Sequence, residues 1–141
     1  MSISSRSAIG VHVLALLARS GVETLSSEAM SDSVRTNPVV IRRVLGRLRD
    51  ASLVASLEGS GGGWQLTRSP EEITLLDVYA AVEKDPLFSL HAHPPSFDCA
   101  VGRNIQGTLE EKFSQAESAM EERLAQTTIA EVLQSVLLRA S

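Results

Sequence analysis

The chain has 141 residues, 43% of them hydrophobic and 21% charged, with a formal net charge of -4 and one cysteine. A chain of this length buries roughly two-thirds of the surface it exposes when unfolded, enough for one packed core without metal or disulfide staples. A lone thiol closes no intrachain disulfide and no apolar run approaches the roughly 18 residues of a membrane span, so a disulfide scaffold, a membrane protein and a disordered tail are excluded.

Met1 to Arg6 lack the charged, apolar and cleavable layout of a signal peptide, which makes the reducing cytoplasm the expected compartment. From Ser5 to Arg19, Ile9, Val13, Leu16 and Leu17 recur at helical spacing, Ala8 and Ala15 suit close packing, and Gly21 stops a first helix. Ser26 caps a short second helix running to about Val34, with Glu28 near the positive end of its dipole. Asn37 followed by Pro38 starts a third: the Asn side chain caps free amides, and proline at the first helical position loses only a hydrogen bond that was missing anyway. That helix runs to about Ala51. Ile41, Val44, Leu45 and Leu48 form its buried stripe, leaving Val39, Val40, Arg42, Arg43, Arg47 and Arg49 to the flanks or the outside.

Charge is unevenly spread. Residues 1–70 hold eight arginines and five carboxylates, whereas residues 71–141 hold five basic and twelve acidic side chains. The stretch from Ser33 to Arg49 carries Arg35, Arg42, Arg43, Arg47 and Arg49 and no acid at all. Distant carboxylates cancel such a field only weakly once salt screens beyond about 8 Å, so this stretch is either a solvated arginine face or a polyanion-binding one.

Next, Leu53 to Leu57 and Trp64 to Thr67 are β-compatible runs on either side of Glu58-Gly59-Ser60-Gly61-Gly62-Gly63, which predicts a hairpin with a glycine tip. Three helices and a hairpin, with the third helix arginine-rich, describe a mainly α fold with a small β-hairpin. This is the winged helix-turn-helix, whose third helix enters the major groove of DNA while the wing lies along the backbone or minor groove. After Ser69-Pro70, Thr74 and Asp77 form a capping pair for a helix from Leu75 to Glu83. Asp85 to Gly102 has no helical period, contains Pro86, Pro94 and Pro95, and predicts a loop holding His91, His93 and Cys99. From Asn104 to Ala125, Ile105, Leu109, Phe113, Ala116, Met120 and Leu124 oppose Glu110, Glu111, Glu117, Glu121 and Glu122 in a long amphipathic helix. A last helix spans about Ile129 to Leu138. The expected organisation is a DNA-binding domain over 1–70, a connecting helix and sensor loop over 71–103, and dimerisation helices over 104–141.

A helix of some twenty residues is about 30 Å long, more than a 70-residue winged domain covers by itself. A second copy is the economical partner, because closed twofold dimers are the commonest oligomers and give two reading heads for one palindromic site.

The blocks TNPVVIRRVLGRLRDASLV (36–54), EGSGGGWQLTR (58–68), ITLLDVYAAVE (73–83) and CAVGRNIQGTLEEKF (99–113), preceded by SSRSAIGVHVLALLA (4–18), resemble the Rrf2 family of bacterial transcriptional regulators, in its YwnA-like branch. The resemblance implies a homodimeric winged-helix repressor or activator of transcription that binds double-stranded DNA, with a long helix crossing to the partner. Carried over by position, it places helix contacts at Asn37, Val39, Val40, Arg42 and Arg43, and wing contacts at Glu58, Gly59 and Ser60. Where several members have an arginine at the wing this chain has Glu58, which does not insert between phosphates and either points away or accepts from a cytosine amino group. Arg42 and Arg43 lie about 100° apart on the helix, so one can read a guanine edge while the other clamps phosphate, and Arg43 is favoured for the base. Arg47 and Arg49 lie further along, as phosphate anchors or as intramolecular partners.

Many family members hold an iron-sulfur cluster through three cysteines of the loop and a further ligand. This chain has one cysteine, and Ala8 stands where some members lend a carboxylate, so no cofactor and no metal are expected. His91, His93, Cys99 and Asp98 match no ligand spacing. Cys99 is the sensor candidate: an exposed thiol near histidines can oxidise, whereas a packed one behaves as a small hydrophobe.

Enzyme readings find little. The tip lacks the third glycine of a dinucleotide fingerprint and the lysine of a phosphate loop. A winged-helix interaction module without DNA binding is the remaining alternative, favoured by Glu58 and the acidic second half and opposed by the acid-free arginine helix.

Overall fold

A computed structural model describes residues 4–141. Its elements, in order, are α1 (Arg6–Ser20), α2 (Ser27–Val34), α3 (Pro38–Asp50), β1 (Val54–Leu57), β2 (Gly63–Leu66), a 3-10 turn (Pro70–Glu72), α4 (Leu75–Val82), α5 (Ala100–Leu124) and α6 (Ile129–Ala140). They divide into two units: residues up to Lys84 together with Leu124–Ser141, and Asp85–Arg123.

The first unit holds the core. α1 contributes Val13, Leu14 and Leu17, α2 Met30, α4 Val78, Ala81 and Val82, and the hairpin base Leu53 and Val54. α3 buries the expected Ile41, Val44, Leu45 and Leu48. Each such side chain stabilises by roughly 1.5–3 kcal/mol, so α3 is anchored from beneath and its outer face is free for other work. The caps act as the sequence implies: Ser26 accepts from the Ala29 amide, and Thr74 and Asp77 complete a reciprocal capping box. β1 and β2 pair antiparallel from Val54 opposite Leu66 to Leu57 opposite Gly63.

Three features depart from the expected plan. Leu25 pairs with Trp64 through two backbone hydrogen bonds of 3.0 and 2.8 Å, adding a third short edge to the wing where the sequence shows only a connection. α5 begins at Ala100 rather than Asn104. Gly102 does not interrupt it, because a Cβ there would stand 2.5 Å from the Ser96 carbonyl oxygen; the missing side chain is what lets the loop backbone lie against the helix. The third departure concerns the domain boundaries. α6, grouped by the sequence with the long helix, belongs to the first unit: Ile129 is fully buried in the core, its amide donates to Ile73 O at 2.8 Å, and Leu75 N–H donates to Thr127 O at 2.9 Å. Val132, Leu133, Val136 and Leu137 of this helix, expected to serve dimerisation, partly face α1 across a cavity of about 740 Å³ lined also by Ala8, Ala15 and Leu16.

In the second unit the loop is ordered against its helix. Phe88 stacks on Phe113 with ring centroids 4.5 Å apart, and the Arg103 guanidinium donates to Phe97 O at 3.1 Å and lies over that ring. No residue of α5 is buried.

Candidate nucleic-acid interface

α3 is positioned by its first residues. Asn37 Oδ1 accepts from the Val39 amide at 2.8 Å and Pro38 opens the helix, so the chain enters α3 at a fixed angle with Asn37 committed to capping. Val39 is 42% exposed and Val40 half-buried.

The arginines separate into two groups. Arg42 and Arg43 are exposed, and neither guanidinium has a hydrogen bond or ion pair among the described residues. Arg47 and Arg49 each have a partner within the fold, Arg47 half-buried and Arg49 at the surface. Arg47 Nη1 donates to the Val82 carbonyl oxygen at 2.7 Å, a half-buried contact that places a cation on the last carbonyl of α4, at the negative end of that helix's dipole. Of the two roles the sequence leaves open for Arg47, the intramolecular partner is present in the fold: its charge closes α4. Arg49 lies over the Trp64 ring, 5.9 Å from the centroid, tying the end of α3 to β2. Trp64 itself is half-buried against the core, so the wing's aromatic residue is a packing element.

Glu58, Gly59 and Ser60 form the exposed wing tip. Gly62 N–H donates to Gly59 O at 3.0 Å, and Thr24 Oγ1 donates to Gly61 O at 2.9 Å, fastening the tip to the segment between α1 and α2. Neither the Arg47–Val82 contact nor the Thr24–Gly61 tie leaves a mark in the sequence, because both join residues far apart in the chain. Arg35, which the sequence marks only as part of the acid-free stretch, stands exposed at the turn between α2 and α3 with φ 61 and ψ 49.

Cys99 is exposed, which removes the reading of it as a packed hydrophobe. The amides of Gly102 and Val101, at the start of α5, hold its thiol below the usual cysteine range. His91 and His93 are exposed in the same loop. Among the described residues no group of three or more His, Cys, Asp or Glu side chains is placed to hold a metal ion. No helix of the described residues is long and apolar enough to cross a membrane.

YwnA of Bacillus subtilis (strain 168), named provisionally as an HTH-type transcriptional regulator, is 41% identical over 132 residues, covering 93% of this chain and 96% of its own. A crystal structure provisionally described as that of a DNA-binding protein superposes with a TM-score of 0.74 at 38% identity, covering 92% of this chain and 99% of that one. CymR of B. subtilis shares the fold, with a TM-score of 0.70 at 21% identity over 96% of this chain and 98% of its own. The model of the Rrf2 family, described as iron-dependent transcriptional regulators, matches residues 3–135. Cluster iron takes thiolates, and this chain offers Cys99 alone, with Ala8 on α1 bringing no donor; the described residues do not fit an iron-sulfur cluster. Matched over nearly its whole length, and built as three helices and a wing with α3 presenting free guanidinium groups, the chain belongs to the Rrf2 family and is a DNA-binding regulator of transcription rather than an enzyme.

Proposed function

We propose that the protein acts in the cytoplasm as a homodimeric repressor on a palindromic operator. Each subunit lays α3 in the major groove, Arg43 reads a guanine edge, Arg42 clamps phosphate, and Asn37, Val39 and Val40 line the first turn against the duplex. The wing brings Glu58, Gly59 and Ser60 alongside. The observation that carries this reading is the pair of exposed guanidinium groups of Arg42 and Arg43, without a partner among the described residues, on a helix whose opposite face is fully buried.

Dimerisation is supported by surfaces that one chain leaves uncovered. α5 runs for 25 residues without one buried side chain, although Ile105, Leu109, Phe113 and Met120 recur along one face. α6 leaves Val136, Leu137 and Leu138 more than 40% exposed. A twofold partner buries such faces and sets two recognition helices about one turn of duplex apart. Repression then needs nothing beyond occupancy, since a dimer seated across a promoter excludes polymerase. Cys99, exposed and with its thiol acidified, is the residue through which oxidation would alter operator affinity.

The test is selection of bound duplexes from a random library, followed by binding at several salt concentrations. A palindromic consensus is expected, with log affinity falling against log salt at a slope near -0.9 per phosphate contacted. A slope near zero and no enriched sequence would refute DNA reading by α3. Peroxide is expected to change the affinity of the wild type and not of Cys99→Ser; equal responses remove the thiol from the mechanism.

A further inference from the structure

α2 ends in an unusual way. Its closing residue takes up the left-handed conformation in which helices commonly end, a position that favours glycine or asparagine because a Cβ is crowded there. This chain has Arg35, at φ 61 and ψ 49. Among the described residues only Ser52 is another non-glycine residue at positive φ. The turn is held firmly: Arg35 N–H donates to Ser31 O at 2.7 Å, and the buried Ser31 hydroxyl donates to Thr36 O at 2.6 Å. The surroundings thus impose the conformation on whatever residue stands there, and arginine is a poor choice for the backbone alone.

Arg35 is exposed and its guanidinium has no hydrogen bond or ion pair among the described residues. It stands two residues before the cap Asn37, at the corner of the helix-turn-helix, where the first helix of the pair passes over the duplex backbone as the second enters the groove. The stretch from Ser33 to Arg49 holds no carboxylate, and Asp32, three residues before Arg35, makes no ion pair with it.

We propose that Arg35 is a backbone anchor: a guanidinium kept at a strained corner so that it meets a DNA phosphate beside the entry point of α3. The inference rests on α3 being the helix that enters the groove. It predicts affinity without sequence preference, because phosphates carry none.

The experiment compares wild type, Arg35→Gly, Arg35→Asn and Arg35→Lys on two duplexes, one recovered by library selection and one of random sequence, with a urea unfolding curve for each protein. Gly and Asn suit the left-handed corner and remove the charge, so both variants should fold at least as stably as wild type. Both should bind the two duplexes about five-fold more weakly, and lose roughly one unit of salt slope. Lys should retain the slope. Wild-type affinity and slope in the Gly and Asn variants would overturn the proposal. So would a lowered urea midpoint in both with the salt slope unchanged, which would assign the cation to the carboxyl end of α2. Arg43→Ala, measured in parallel, separates the two readings: if it weakens selective binding while Arg35→Gly changes nothing, Arg35 alone is wrongly assigned. If neither variant alters binding, α3 is not the reading helix and both fall.

Discussion

Arg47→Ala distinguishes a cation that holds the fold from one that holds DNA. In the native structure its Nη1 donates to the Val82 carbonyl at 2.7 Å. A hydrogen bond from a charged donor contributes roughly 1.5–3 kcal/mol, and a cation at a helix C-terminus about 0.3–1 kcal/mol more. Because Arg47 is only half-buried, water recovers part of this once the side chain is cut back, so the expected loss is about 2 kcal/mol. At a urea dependence of about 2 kcal/mol per molar for a small domain, the unfolding midpoint should fall by about 1 M. Trp64, the sole tryptophan, sits in the wing that packs against the same core and reports the transition by fluorescence. Binding to random duplex, measured on the folded variant across salt concentrations, should keep its wild-type slope. A midpoint within about 0.2 M of wild type, together with a slope reduced by about 0.9, would show that Arg47 contacts phosphate and that its bond to Val82 is incidental.

Other substitutions probe other links. Arg43→Ala is expected to weaken the selected operator by about 1–3 kcal/mol and relax preference at one base pair per half-site, whereas Arg42→Ala should lower selected and random binding alike; identical profiles would put both on phosphate. Gly10→Ala should destabilise by about 1 kcal/mol in thermal unfolding. Its Cβ would come within 2.8 Å of Val78 Cγ1 where α1 crosses α4, and overpacking there outweighs the gain in helix propensity. No loss would mean that the two helices separate easily. Cys99 should stay reactive toward iodoacetamide to lower pH in the folded protein than in the urea-unfolded chain, because the α5 amides favour its thiolate. By linkage, the accompanying stabilisation is present above the unfolded thiol pKa and fades as pH falls through the folded one; matching rate profiles would rule it out.

Much of this was legible in advance because local chemistry and core burial agreed. Asn37-Pro38, Ser26 and the Thr74–Asp77 pair announced helix starts, and the spacing of Ile41, Val44, Leu45 and Leu48 fixed which face of α3 turned inward. That inward face in turn left Arg42 and Arg43 outside. The fates of Arg47 and Arg49 were not legible: their partners, the Val82 carbonyl and the Trp64 ring, are supplied by tertiary contact and have no spacing to betray them. The start of α5 was placed late for a related reason: Gly102, which bounds the predicted loop, is tolerated in the first turn because the Ser96 backbone occupies the space of its side chain. Amphipathicity in α6 likewise reported an apolar face without saying which neighbour it meets.

The reading head is assembled from both sides of a detour. Ile129 completes a core that α1 began more than a hundred residues earlier, and the strip at Ile73–Leu75 is held by Thr127 and Ile129. During synthesis, then, the head cannot close until the segment that follows the detour has cleared the ribosome, and every nascent chain must carry its DNA-facing half unfinished past that point. The same topology makes 85–123 an excursion from a unit whose own chain ties, Leu75 to Thr127 and Ile129 to Ile73, lie outside it, so the excursion can change in sequence or length while those ties are retained.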